Sequence, residues 1–127
     1  KEAVQAVLAN VQATVAREPC VMYSSTDCPY CDKAKDVIAK CNQTCHVVEL
    51  NKQENMLLAS VIQTSTRQNT IPNIFIKGMH VGGFDDLLNA LVQCRTPSRL
   101  SSNAEMKNFC SFFDKLEVKE SPEAAQK

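Results

Sequence analysis

Tryptophan is absent from this 127-residue chain, glycine occurs only three times, and aromatic residues make up 6% of it. Net charge is absent as well, because fourteen lysines and arginines balance fourteen aspartates and glutamates. A chain without net charge sets up no general field to draw in nucleic acid or an acidic membrane surface, so neither is expected as a partner. No apolar run approaches the ~20 residues needed to span a bilayer. The first fifteen residues, KEAVQAVLANVQATV, lack the short apolar block and cleavage site of a signal peptide. No internal repeat is present. What the chain does have is 44% hydrophobic and 22% charged residues, at a length that suits one domain around one core.

It also has seven cysteines, a high and odd number that rules out complete pairing within the chain. Their spacings do not resemble the dense lattice of a small secreted scaffold, and the chain is long enough to rely on its core. A reducing setting with most thiols free is the expectation, which points to the cytoplasm. A targeting segment ahead of Lys1 would redirect the protein to a mitochondrion or another organelle, and the high count leaves room for a compartment in which some disulfides persist.

Hydrophobic periodicity gives the order of elements. Val4, Val7, Leu8, Val11 and Val15 recur at helical spacing, and Arg17-Glu18-Pro19 ends that helix. "CVMYSS" (20–25) is short, apolar and β-branched or aromatic, as a buried strand should be. Ala34, Val37, Ile38 and Cys41 mark a second helix, with Pro29 tolerated in its first turn. "CHVVEL" (45–50) reads as a second strand, and Met56, Leu57, Val61 and Thr64 suggest a third helix. "IPNIFIKGMHVGG" (71–83) reads as two strands around a Lys77-Gly78 turn, and Asp85, Leu87, Leu88, Leu91 and Val92 open a fourth helix. The β-α-β start implies a parallel pair, to which the hairpin adds an antiparallel edge. This core domain is expected over 1–96. The extension 97–127 carries a helix over 102–117, capped by Ser102 with Glu105, whose stripe of Met106, Phe109, Cys110, Phe113 and Leu116 packs on the domain. A frayed tail follows.

The stretch "STDCPYCDKAK" (25–35) holds two cysteines two residues apart. Zinc is one reading, with Cys28, Cys31, Cys41 and Cys45 as ligands. A helix over 30–41 opposes it, since at 1.5 Å per residue Cys41 would lie ~15 Å from Cys31, whereas one ion needs all four sulfurs ~2.3 Å away. A purely structural disulfide is a second reading, but so short a loop removes little entropy from the unfolded chain. Redox exchange explains the placement best. Cys28 follows a strand and opens a helix, where unpaired N–H groups and the helix dipole favour a thiolate. Cys31 lies one turn inward, placed to resolve a mixed disulfide. The other five cysteines read mainly as buried thiols, with Cys20 and Cys45, or Cys41 and Cys45, able to approach each other. Cys94 and Cys110 lie on apolar stripes and face the core. His46 and His80 read as strand-surface residues.

"CPYC" after "VMYSST", followed some forty residues later by "TIPNIFIKGMHVGGFDDL", resembles the dithiol glutaredoxins. The resemblance covers roughly residues 3–94. Thioredoxins resemble the arrangement too, but usually carry a tryptophan before a C-G-P-C pair, and this chain has no tryptophan. The resemblance implies a thioredoxin-like α/β fold, a four-stranded mixed sheet flanked by helices, here with an extra C-terminal helix. It implies an enzyme that reduces protein disulfides and glutathionylated proteins with glutathione as co-substrate, no tightly bound cofactor, no metal, and a monomer. Cys28 would be the nucleophile and Cys31 the resolving thiol. Ile71-Pro72 matches the family's cis-proline turn, so that Thr70 and Ile71 would grip the cysteinyl part of glutathione. Gly82-Gly83 would let the ligand come close, Phe84 and Asp85 would meet its γ-glutamyl end, Tyr30 would flank the groove, and Gln68 matches a family position.

Some residues depart from the family pattern. Ser25 stands where a lysine is usual, Asn69 where an arginine is usual, and Asp27 and Asp32 flank the cysteine pair. Carboxylates gained and positive charge lost disfavour the Cys28 thiolate and weaken glutathione binding, with Lys33 and Lys35 as partial offsets. Two alternatives follow: an oxidoreductase using a different low-molecular-weight dithiol, bulkier or more cationic than glutathione, and an iron–sulfur cluster carrier of the kind some glutaredoxins form.

Overall fold

The computed structural model describes residues 1–96 and 103–116. Four helices and four strands follow the order the periodicity predicts: α1 (Glu2–Arg17), β1 (Cys20–Ser24), α2 (Pro29–Lys40), β2 (His46–Glu49), α3 (Met56–Thr66), β3 (Asn73–Ile76), β4 (Met79–Gly82) and α4 (Phe84–Cys94). A short α5 (Ala104–Cys110) and a 3-10 turn (Ser111–Phe113) follow. The sheet runs β2-β1-β3-β4. β1 pairs parallel with β2 and antiparallel with β3, and β4 completes an antiparallel edge. This is the mixed, helix-flanked sheet that the thioredoxin-like expectation required.

β1 is central and buried along its whole length, which is why its sequence is apolar on both faces. Successive side chains of a strand point to opposite faces. Cys20 and Met22 therefore join a cluster with Ala34, Ile38, Ile74 and Leu87 under α2 and α4. Val21 and Tyr23 join Val11 and Ile62 under α1 and α3. The two layers clamp β1, and its C-terminal end emerges between them into the loop that carries the cysteine pair.

The extension differs from its sequence reading. Its α-helix is only seven residues long and is capped by Asn103, whose Oδ1 accepts the N–H groups of Glu105 (2.8 Å) and Met106 (3.3 Å). The proposed cap Ser102 lies outside the described residues, as do the link over 97–102 and the tail over 117–127. Gln43 Nε2 donates to the Phe112 carbonyl and Arg95 Nη1 to the Phe113 and Asp114 carbonyls, so residues outside the extension draw the chain out of helical pairing at its end. That tightening buries Phe112 and Phe113 together, and a straight helical stripe had room only for the second. Met106, by contrast, stays exposed. Phe109, Cys110, Phe112 and Phe113 all enter the α2/α4-side cluster.

The expectation of mostly free thiols fails. Cys20 is bonded to Cys45 and Cys94 to Cys110, leaving Cys28, Cys31 and Cys41 as thiols. Cys20 and Cys45 immediately precede the paired residues Val21 and His46 of two parallel neighbours, and their Cα atoms are 4.6 Å apart. Cys94 ends α4 and Cys110 ends α5, with Cα atoms 5.2 Å apart, within the range a disulfide bridges without moving backbone. Cys41 closes α2 and is fully buried.

Candidate active site

The end of β1 is fixed first. The Ser24 carbonyl accepts the Leu50 N–H at 2.7 Å, extending the β1–β2 ladder by one bond. Asn51 then clamps the loop: its Oδ1 accepts the Thr26 N–H (3.3 Å) and its Nδ2 donates to Thr26 Oγ1 (2.7 Å). The loop delivers Cys28 to the N-cap of α2 in extended geometry (φ −117°, ψ 107°). There its sulfur does what a serine or aspartate oxygen does at other caps, accepting the Cys31 N–H at 3.1 Å. Pro29 occupies the first helical position, where a missing N–H costs nothing. Cys28 is half-buried at the surface, whereas Cys31 is wholly buried one turn inward.

This division sets the chemistry of the pair. Burial pushes the Cys31 thiol up to about 11, and its hydrogen bond to Cys28 adds to that push. The Ser24 hydroxyl and the Ser25 backbone N–H act in the opposite direction. The half-buried sulfur thus caps the first turn of α2, and the buried one keeps its proton.

Facing the pair is the loop between α3 and β3. Arg67 ends α3 in the left-handed region (φ 58°), turning the chain toward Thr70. The Ile71–Pro72 bond is cis, as the family resemblance implied, and the Ile71 carbonyl lies 3.9 Å from Cys28 Sγ. Gln68 Nε2 donates to the Thr70 and Pro72 carbonyls, both at 3.0 Å, and so braces the turn from one side. Asn73, almost fully buried, braces it from the other: its Nδ2 donates to Thr66 Oγ1 (2.9 Å) and its Oδ1 pairs with His80 Nε2 (2.7 Å).

The third wall is the start of α4. Gly83 is its N-cap, and Asp86, three residues on, reaches back to accept the Gly83 N–H at 2.9 Å. Tyr30 and Phe84 approach across the groove with ring centroids 5.9 Å apart, and Lys33 Nζ stands 5.0 Å from the Tyr30 ring centre.

Eight of the nine binding residues anticipated from sequence (Tyr30, Gln68, Thr70, Ile71, Pro72, Gly83, Phe84 and Asp85) line one groove of roughly 420 Å³, together with Asp86. Ser25 does not. It lines a neighbouring hollow of roughly 300 Å³ that shares Gln68, Thr70 and Ile71 with the groove. The rest of that hollow is apolar or amide, including Leu50, Ile62, Asn51, Gln63 and Asn69, and contains no lysine or arginine. Lys35 is held by Glu49 at 3.1 Å and shared with Asp32 at 4.0 Å, so its charge is already spoken for. Asp27 and Asp32 are exposed. Cys45, bonded to Cys20, is no ligand for the zinc arrangement considered above.

Sequence reasoning missed Asp86, Asn51, Asn73 and Ser24. Asp86 carried a signal, since an acidic residue three positions after a glycine N-cap is a capping pattern. The other three are polar residues that no motif singles out: Asn51 meets Thr26 across 25 positions, Asn73 meets Thr66 and His80 across the turn, and Ser24 meets Leu50 through its carbonyl.

A family model described as glutaredoxin matches residues 20–81. Over 81 residues the chain is 43% identical to Glutaredoxin-1 of Rhizophagus irregularis, covering 63% of this chain and 80% of that protein. Over 82 residues it is 39% identical to Glutaredoxin-C6 of Oryza sativa subsp. japonica, covering 64% of this chain and 73% of the other. Among solved structures, a buckwheat glutaredoxin–glutathione complex superposes with a TM-score of 0.69 at 26% identity, covering 87% of this chain and 96% of that one.

Proposed function

The chain belongs to the glutaredoxin family, and from that premise we propose that it reduces protein disulfides and glutathione mixed disulfides through Cys28 and Cys31, with glutathione as electron donor. Membership supports thiol–disulfide oxidoreductase activity in general. The observation that carries the finer reading is the pairing of a half-buried, helix-capping Cys28 with a buried Cys31 beside a groove lined by Tyr30, the Thr70–Pro72 turn and the start of α4.

In this reading the Cys28 thiolate attacks a disulfide sulfur, a Cys28–substrate bond forms, and the first thiol departs with the electron pair and takes up a proton. With a protein disulfide, Cys31 then attacks Cys28 and expels the second thiol, leaving a Cys28–Cys31 disulfide. Two glutathione thiols return the pair to its reduced state and leave as glutathione disulfide. With a glutathionylated protein, Cys28 takes the glutathionyl group and a second glutathione removes it. The Thr70–Pro72 backbone offers an extended edge for the cysteinyl part, and the first N–H groups of α4 suit a carboxylate at the γ-glutamyl end.

A second reading concerns the donor. Where glutathione's glycyl carboxylate would extend, Ser25 and the amides of the adjoining hollow offer hydrogen bonds without a cation. That favours a low-molecular-weight dithiol whose corresponding end is uncharged or cationic. A reductase-coupled assay comparing glutathione with a cationic dithiol, with Cys28→Ser as control, tests both. Turnover with glutathione that vanishes in Cys28→Ser is expected. Turnover that survives the substitution would remove the assignment, and a donor preference for the cationic dithiol would select the second reading.

A further inference from the structure

His80 stands on the edge strand β4, exposed at the surface, and the chemistry proposed for the dithiol does not use it. Its ring centre lies 5.0 Å from that of Phe75, and its Nε2 lies 2.7 Å from Asn73 Oδ1. Asn73 directly follows the cis proline and is only 1% exposed. Its other polar atom, Nδ2, meets Thr66 Oγ1 at 2.9 Å, and Thr66 Oγ1 meets the Ile62 carbonyl at 2.7 Å. The protons on this chain can run only one way. A carbonyl only accepts, so the single hydroxyl proton of Thr66 goes to Ile62. The Thr66 oxygen must then accept from Asn73, which turns the Asn73 NH2 toward Thr66 and its oxygen toward His80. His80 must therefore carry a proton on Nε2. Burial favours the neutral ring, against the pull of the Asp86 carboxylate. A neutral ring has one N–H, and Asn73 selects the nitrogen that bears it.

We propose that His80, protonated on Nε2, is a positioning residue for the substrate groove, holding the Asn73 amide in the one orientation that closes the neck of the 67–72 loop. The inference rests on the groove reading given under the proposed function. Thr66 ends α3 and Asn73 begins β3, so the bond between them joins the two ends of that loop. The loop supplies Gln68, Thr70, Ile71 and Pro72 to the groove, and its Ile71 carbonyl lies 3.9 Å from Cys28 Sγ. Gln68 braces the loop from within, and the Asn73 amide fastens it at the base. His80 touches no substrate and acts through Asn73. Without the His80 donor, the Asn73 oxygen is buried and unpaired, a costly state. Turning the amide to relieve it sets the same oxygen against Thr66 and releases the neck.

Long-range proton–nitrogen NMR on the native protein, at a pH where the imidazole is neutral, reads which ring nitrogen bears the proton. Nε2–H is expected, and a proton on Nδ1 overturns the proposal. Variants read the consequence in the reductase-coupled assay with glutathione. His80→Phe keeps a ring over Asn73 but offers no donor, so KM for glutathione should rise about fivefold, as leaving a buried acceptor unpaired should produce, while kcat holds. His80→Gln, whose amide N–H can donate, should restore KM. An unmoved KM in His80→Phe, a loss through kcat equal to the rise in KM, or no rescue by His80→Gln would each overturn the proposal. Absence of turnover in the native protein would overturn the oxidoreductase reading, and this proposal with it. With native turnover intact, a wrong tautomer or an unmoved KM removes the His80 role alone, so the two failures are distinguished.

Discussion

Gly82→Ala should damage this protein far more than Gly83→Ala, although the two glycines are adjacent in the same turn. Gly82 ends β4 with φ +118°, a conformation that side-chain-bearing residues rarely adopt. A Cβ there would also lie 2.9 Å from Asp86 Cγ and closer still to Asp86 Oδ2. Asp86 would have to swing away and release the Gly83 N–H it caps. Backbone strain of ~1–3 kcal/mol and a lost cap of ~1 kcal/mol sum to about 2–4 kcal/mol. Gly83 has an ordinary φ of −92°, and an added Cβ meets nothing nearer than 3.8 Å, so its substitution should cost under about 1 kcal/mol. Urea unfolding of both variants measures the difference, and Asp86→Ala completes a double-mutant cycle. Because Gly82→Ala already forfeits the cap, adding Asp86→Ala should cost ~1 kcal/mol less than additivity requires. Equal stability of the two alanine variants, or additive costs in the cycle, would refute the reasoning. The groove supplies a second readout, since Gly83, Phe84 and Asp85 line it and shift with the cap: KM for the thiol donor should rise in Gly82→Ala.

Cys31→Ser should retain removal of glutathione from a glutathionylated protein and lose reduction of protein disulfides; equal loss of both activities in coupled assays would contradict the assigned roles. Replacing Cys94 and Cys110 by serine opens a cross-link of sequence separation 16, which by loop entropy should lower unfolding stability by ~3 kcal/mol. Replacing Cys20 and Cys45, with separation 25, should cost ~3.5 kcal/mol, and denaturant unfolding without reductant should register both losses. Stability should also fall at alkaline pH. Cys31 keeps its proton to about 11 when folded and to 9.0 when unfolded, so its contribution is fully present below 9.0 and is lost as pH rises through 11. Cys31→Ser should flatten that decline, and an unaltered alkaline slope would place its cause elsewhere.

The sheet and four main helices were legible because each strand and helix advertises its period: CVMYS alternates between two buried layers, and the α2 stripe of Ala34, Ile38 and Cys41 points at one of them. Most of the groove was legible because its residues form short contiguous motifs, CPYC, TIP and GGFD, whose spacing the turns preserve. Ser25 falls outside that groove, lining the adjoining hollow that shares Gln68, Thr70 and Ile71 with it. The extension was read correctly as packing inward and incorrectly in detail. Its end is set by Gln43 and Arg95, which lie elsewhere in the chain and leave no trace in the local pattern around Phe112. The Cys20–Cys45 approach was one of two the strand order allowed, and the parallel register selects it, whereas the Cys94–Cys110 bond escaped because it depends on where α5 docks rather than on cysteine spacing.

The resulting distribution of sulfur bears on how a redox enzyme can carry its own disulfides. Cys28 and Cys31 lie beyond the C-terminal end of β1, and the Cys20–Cys45 bond lies at its start. Five strand residues at ~3.3 Å each separate the two by roughly 15 Å. Cys41, at the far end of α2, is a further helix length from Cys28, roughly 19 Å at 1.5 Å per residue. Thiol–disulfide exchange needs sulfur–sulfur contact, so Cys28 and Cys31 cannot reach the Cys20–Cys45 cross-link within one molecule without unfolding the sheet. Cys41 differs: it shares a cluster with the Cys20–Cys45 bond, but burial raises its thiol well above neutrality and holds it protonated. A protonated thiol is not the attacking species. Distance insulates the Cys20–Cys45 cross-link from Cys28 and Cys31, and burial insulates it from the Cys41 thiol, so under the proposed chemistry this cross-link can persist beside the dithiol pair.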